Sequence, residues 1–369
     1  MNIVNTVKTV RTILLNPGPV NVSPRVREAL GGPDLCHREP EFFDLQDGIR
    51  QRLLEAFRTP AGQYTSVLLT GSGTAMVEAV TASAVPDGGR LLVVQNGVYG
   101  ERIARIARVH GIAHDVVECS PMERPSLDAI ATRLAHTQYD ALAIVHHETT
   151  TGLLNDLAPV AALCRRHRTR LLVDAVSALA GEAFDFATLA PDAVACTANK
   201  CVQGLPGLSF ALVKREFMDA MRGYPERTLY LHLPRHHDEQ EKRSTPFTPA
   251  VQVAYALRTA LDELIDETVD GRVARYGRAA AIVREGVAAL GLALLLPPAL
   301  RSTTLTAIAL PGEIGYAELH DALKRDGFVI YAGQGPLAAT LFRVATMGDV
   351  REDDYRRFIH SLGVAIGRA

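Results

Sequence analysis

The sequence predicts an α/β protein, with a large domain on a mostly parallel sheet followed by a smaller α+β domain. Three observations lead there. Between residues 64 and 214, short apolar runs alternate with longer amphipathic stretches. That repeated strand–helix–strand spacing belongs to a parallel sheet with crossover helices. Several runs are apolar nearly throughout, as strands covered on both faces are. Beyond the polar stretch 222–248 the strict alternation stops, and strands and helices mix.

In chain order, the apolar runs predict strands at 66–70, 90–95, 141–147, 170–176, 193–198 and 208–214. Amphipathic spacing predicts helices between them at 74–85, 101–109, 126–135 and 156–168. Residues 222–248 lose periodicity and carry the charged segment 235–243, which marks a boundary. Thr248-Pro249 then reads as a helix N-cap and first helical position. Helices at 249–268 and 272–290 follow, then strands at 292–296, 303–310, 328–332 and 341–346. Two further helices fall at 316–325 and 352–366. This reading puts an N-terminal arm and the large domain in residues 1–250, and the small domain in 251–369.

Composition narrows the function. A length of 369 residues suits two domains or one large one. Lys+Arg 39 against Asp+Glu 41 leaves a net charge of -2, which offers no basic footprint for nucleic acid or a membrane surface. No apolar run approaches the ~18–20 residues of a bilayer span. Ile13-Leu14-Leu15, followed by Asn16-Pro17-Gly18-Pro19, is too short for a secretory signal. Five cysteines without a Cys-x-x-Cys pair read as free thiols of a reducing compartment, so a cytoplasmic location is expected. The pairs His146-His147 and His236-His237 are not read as a ligand set, so no metal site is expected.

Three stretches carry chemistry. Thr70-Gly71-Ser72-Gly73-Thr74-Ala75 follows a strand and opens a helix, so its free N–H groups can hold a phosphate. It lacks the third glycine of a dinucleotide fingerprint, since Met76 stands there, and no Walker lysine follows. Asp174 ends an apolar strand, a costly position without a positive partner. Lys200, in Thr197-Ala198-Asn199-Lys200-Cys201, ends another. A phosphate cradle, a carboxylate and a lysine at one sheet edge are what pyridoxal 5′-phosphate requires. Tyr99, after a third strand, could stack on its ring; tryptophan is absent from the chain.

The same stretches resemble fold-type-I, class-V aminotransferases, and among them the branch acting on 2-aminoethylphosphonate and pyruvate. The matches are 15–19, 64–74, Val145-His146-His147-Glu148-Thr149-Thr150-Thr151-Gly152, 199–207, 327–333 and Phe342-Arg343-Val344. Asn199-Lys200-Cys201-Val202-Gln203-Gly204 is the sharpest of them. The resemblance implies that Lys200 is the Schiff-base lysine and Asp174 the partner of the pyridine nitrogen. It implies phosphate contacts from Ser72, Gly73 and Thr74, with Tyr99 against the ring and Thr150 near the ring oxygen. It implies a homodimer in which a threonine-rich segment of the second copy, here Thr245 and Thr248, reaches the phosphate. It implies that Arg343 clamps the acidic group of each substrate.

His232 stands where Asp is expected from the resemblance, and the charged 234–243 stretch replaces aromatics. Segment 36–42 resembles the glyoxylate-using branch, so an alanine– or serine–glyoxylate aminotransferase is the alternative. A nicotinamide dehydrogenase would need the glycine that Met76 replaces.

Overall fold

Apolar runs bounded by turn residues assemble the central sheet. The computed structural model describes residues 11–312 and 314–368, so the first ten residues of the expected N-terminal arm lie outside the described residues. β1 (Ile13–Leu14), α1 (Pro24–Glu28) and α2 (Pro40–Ala56) lead into β2 (Tyr64–Thr70). Strands and helices then alternate through α3 (Gly73–Ser83), β3 (Arg90–Gln95), α4 (Val98–Val109), β4 (Ala113–Glu118), α5 (Leu127–His136) and β5 (Ala141–Val145). A hairpin of β6 (His147–Glu148) and β7 (Leu153–Leu154) precedes α6 (Leu157–His167) and β8 (Arg170–Asp174). The sheet is completed after α7 (Phe186–Leu189) by β9 (Ala193–Thr197) and β10 (Leu208–Lys214).

Seven strands pair in the order β2-β10-β9-β8-β5-β3-β4. Four of the pairings are parallel, and β10 runs antiparallel to both of its neighbours. The short connection from β9 to β10 permits that reversal, because antiparallel neighbours need no crossover helix. Side chains alternate across the sheet: Leu68, Leu142 and Val173 face one core, and Val67, Leu69 and Val145 the other. Residues of α3 and α4 close the second face.

The rest of the chain runs through α8 (Arg215–Met221), α9 (Leu233–Glu241), α10 (Val251–Glu267), α11 (Val269–Ala289), β11 (Leu305–Ala309) and α12 (Tyr316–Arg325). It closes with β12 (Phe328–Val329), β13 (Tyr331–Ala332), β14 (Leu341–Ala345) and α13 (Glu352–Ala365). A three-stranded sheet, β11-β14-β13, shares a core with α11, α12 and α13. Ile13 and Leu15 enter that same core, with β1 paired to β12. Val251, Leu257, Leu261 and Leu264 of α10 instead join the core under the seven-stranded sheet. No helix among the described residues is long and apolar enough to cross a membrane.

Several expectations are corrected. The strand expected at 141–147 stops at Val145: the His146 N–H makes the last ladder bond, to Asp174 O at 2.9 Å, and the His146 carbonyl accepts the Asn155 N–H at 2.9 Å as the chain enters the hairpin. The one at 328–332 divides, since β12 and β13 pair with different strands. The one at 292–296 reduces to a single bridge, Leu294 to Ile308. Within the aperiodic stretch 222–248 lies α9, whose His236, His237 and Gln240 are buried. Thr248 does not cap α10; Ala250 occupies that position and its N–H donates to Thr70 Oγ1 at 3.0 Å.

Candidate active site

The first turn of α3 is built to accept an anion. Ser72 is its N-cap, and Ser72 Oγ accepts the Ala75 N–H at 3.3 Å. N–H groups in a first helical turn lack intrahelical acceptors and sit at the positive end of the helix dipole. No acidic residue occupies that turn. Gly73 is required by packing: a Cβ there would stand 2.8 Å from Val176 Cγ1 and 3.2 Å from Thr197 Cβ. The helix end is thereby seated against the segments that follow β8 and β9. Ser72 and Thr74 remain exposed.

Asp174 is the last residue of β8, in register with Val145 and Ala195. Its Oδ1 accepts the Val176 N–H at 3.0 Å. Burial raises the carboxyl's proton affinity, and the Val176 N–H, Lys200 and Arg102 oppose that shift. Lys200 follows β9, and its Nζ donates to Pro17 O at 2.6 Å. Gly18 lies directly over it with φ +121°, where a Cβ would come within 3.0 Å of Lys200 Cγ. The segment Asn16-Pro17-Gly18 therefore packs on the lysine stem. Burial lowers the amine's proton affinity, while Cys201 and Asp174 pull it back up. An amine readily made neutral is what a nucleophile or proton carrier needs.

A buried carboxylate that sequence reasoning did not single out organises the other side. Glu148 accepts the Tyr99 N–H at 3.2 Å through Oε2, and the Thr150 N–H and Oγ1 at 3.2 and 2.7 Å through Oε1. Gly97 makes room for it, since a Cβ there would fall 2.2 Å from Glu148 Oε2. Burial pushes this carboxyl's proton affinity up, against the hydrogen bonds from Thr150 and Tyr99. Thr149 Oγ1 donates to the Tyr99 hydroxyl at 2.8 Å. Thr149 O accepts Arg343 Nη1 at 2.8 Å, and Ala332 O accepts Arg343 Nε at 2.8 Å. Arg343 is buried, and among the described residues no carboxylate pairs with it. Glu148 was visible in the sequence only as a charge inside a threonine-rich motif; its acceptor role depends on the distant Gly97-Val98-Tyr99 turn.

One chain thus links Ser72, Gly73, Thr74, Tyr99, Thr150, Asp174, Lys200 and Arg343 through contacts and mutual charge effects. Thr245 and Thr248 are not part of that linkage. They line a cavity of about 30 Å³ with Thr70 and Tyr230; Thr245 Oγ1 is buried without a partner, and Thr248 is exposed.

The donor set fits pyridoxal phosphate. The first turn of α3 offers N–H groups with no acidic residue beside them, burial lowers the proton affinity of the Lys200 amine, and Asp174 Oδ2 accepts no hydrogen bond among the described residues.

Comparison with known proteins gives consistent matches. The family model described as aminotransferase class-V matches residues 36–351. A 2-aminoethylphosphonate–pyruvate transaminase of Syntrophobacter fumaroxidans is 37% identical over 362 residues, covering 96% of this chain and 96% of its own. A protein of the same name from Vibrio cholerae is 38% identical over 361 residues, 96% of this chain and 97% of its own. The crystal structure of ureidoglycine–glyoxylate aminotransferase from Bacillus subtilis matches with a TM-score of 0.91 at 25% identity, covering 98% of this chain and 94% of that one.

Proposed function

Because the chain belongs to the class-V aminotransferase family, with the fold-type-I architecture, we propose that it moves the amino group of 2-aminoethylphosphonate to pyruvate. The products are phosphonoacetaldehyde and L-alanine, and two half-reactions through one site give ping-pong kinetics. The substrates follow the names of the curated relatives. The observation that carries the reading within the site is Arg343, a buried guanidinium oriented by two carbonyl oxygens and unpaired with any carboxylate among the described residues. Its planar fork suits a phosphonate and a carboxylate alike, so one clamp serves both substrates.

Ser72, Gly73 and Thr74 would hold the phosphate of pyridoxal phosphate, with Tyr99 against the ring and Thr150 near its oxygen. When bound, the cofactor supplies an aldehyde carbon that exchanges amines and a ring that takes up the electron pair released at the substrate carbon. Asp174 keeps a proton at the pyridine nitrogen. Lys200 Nζ takes the proton from the substrate carbon bearing the amine, and returns one to the pyruvate-derived carbon in the second half-reaction. Such proton transfer by a positioned group contributes roughly 10²–10⁴-fold. A second copy of the chain supplies Thr245 and Thr248 to the phosphate, as the family resemblance implies. The enzyme works in the cytoplasm, free of nucleic acid and membrane.

A screen of amino donors and acceptors on purified protein tests this. Transfer from 2-aminoethylphosphonate to pyruvate should exceed transfer from serine or alanine to glyoxylate. The reverse preference would replace this reading with the glyoxylate-using one.

A further inference from the structure

Arg102 is a cation in a place that needs an anion. It lies on α4, three residues after Tyr99, so the two side chains share a helix face. Its Cζ stands 4.9 Å over the centre of the Tyr99 ring, and its Nη1 donates to Thr74 Oγ1 at 3.1 Å. Thr74 is in the first turn of α3, the turn that carries no acidic residue. A guanidinium held against the positive end of a helix is disfavoured by the dipole. Some arginines of this chain pair with carboxylates, as Arg52 does with Asp262 and Arg90 with Asp115. Among the described residues no ion pair offsets Arg102. A single hydrogen bond to a hydroxyl leaves most of its N–H donors available.

Resting on the cofactor reading above, we propose that Arg102 is a further cofactor-binding residue: its guanidinium supplies the cationic contact to the phosphate of pyridoxal phosphate that Ser72, Gly73 and Thr74 lack. Residues 72–74 offer only backbone N–H groups and hydroxyls, which are neutral donors to a dianion. Arg102 adds a charge-assisted donor on the same helix end, and its stacking on Tyr99 keeps the fork from swinging into solvent. The same residue therefore couples the group that holds the phosphate to the group that covers the ring.

The test compares two aldehydes on the full-length chain stripped of cofactor: pyridoxal phosphate, and pyridoxal, which lacks the phosphate. Equilibrium titration followed by absorbance gives both dissociation constants for the parent protein, R102Q and R102K. R102Q should weaken pyridoxal phosphate by about tenfold to a hundredfold and leave pyridoxal within about twofold, with R102K between. The loss in R102Q should also flatten the salt dependence of pyridoxal phosphate binding. Equal weakening of both aldehydes would make Arg102 a mere packing partner of Tyr99 and overturn the assignment. Unchanged affinity for pyridoxal phosphate would overturn it as well. Failure of the parent protein to prefer pyridoxal phosphate over pyridoxal would instead overturn the cofactor reading itself, and this assignment with it.

Discussion

Glu148 accepts the backbone N–H of Tyr99 at 3.2 Å, which ties the turn after β3 to the hairpin after β5. The same carboxylate holds both the N–H and the hydroxyl of Thr150. Two segments distant in sequence are fixed by one buried acid that, among the described residues, makes no hydrogen bond to Lys200 or Asp174. Glu148→Ala should orphan two backbone N–H groups and lower stability by about 1–3 kcal/mol for each that stays buried. Glu148→Gln keeps an acceptor oxygen and should fall between the two. Urea denaturation of the three proteins checks the order, and an unchanged midpoint for Glu148→Ala would remove the tie.

Arg343 is oriented by Thr149 O and Ala332 O. An ammonium cannot reproduce that fork. Arg343→Lys should therefore lower kcat/KM for 2-aminoethylphosphonate and for pyruvate together, each by about tenfold to a hundredfold. Steady-state kinetics with each substrate varied in turn measures this. A variant that handles both normally has no clamp at this position.

Asp174 ends β8, where the charge of Lys200 acts on it. Asp174→Asn substitutes an amide that cannot hold a proton at a ring nitrogen. The single-turnover rate with 2-aminoethylphosphonate should fall by roughly 10²–10⁴-fold, and cofactor affinity should weaken. An unaltered rate would assign that proton to another group.

How much of this was legible in the sequence depended on where side chains point. Strands at 90–95 and 208–214 and the helix at 316–325 were readable to the residue, because uniform apolar runs or clean helical spacing end at turn residues. β4 was missed because it is the edge strand, and His114, Asp115 and Val116 are only partly buried. α9 was missed because its buried face is polar: Gln240 bridges the N–H and O of Leu68 instead of presenting an apolar stripe. Lys200 and Asp174 stood out together, since two charges ending apolar strands beside a glycine-rich phosphate turn make one coherent apparatus, although either alone reads as a turn or surface residue. Glu148 and Arg102 did not, because an acid in a threonine run and an arginine on an amphipathic helix look ordinary until Gly97 and Thr74 come beside them.

Glu182 predicts a pH dependence of stability. Burial pushes its carboxyl up to about 7, against the hydrogen bonds it accepts from the Thr303 N–H at 2.6 Å and from Thr304. The unfolded chain loses that proton near its ordinary value of 4.5, whereas the folded chain keeps it to about 7. Between these values the folded state binds more protons, so this contribution is complete below the unfolded value and is lost as pH rises through the folded one. Across that window the melting temperature of the parent protein should fall relative to that of Glu182→Gln, whose amide does not titrate. Parallel melting curves for the two proteins would mean that Glu182 is ionised throughout.

The central claim is that Lys200 carries the amine chemistry of a pyridoxal phosphate enzyme. Reduction of the cofactor-loaded enzyme with borohydride, followed by mass mapping of its peptides, tests it most directly. The account predicts a pyridoxyl group fixed on Lys200 and loss of activity in proportion to labelling. A label on any other lysine, or a loaded enzyme that borohydride leaves unmodified, would contradict it.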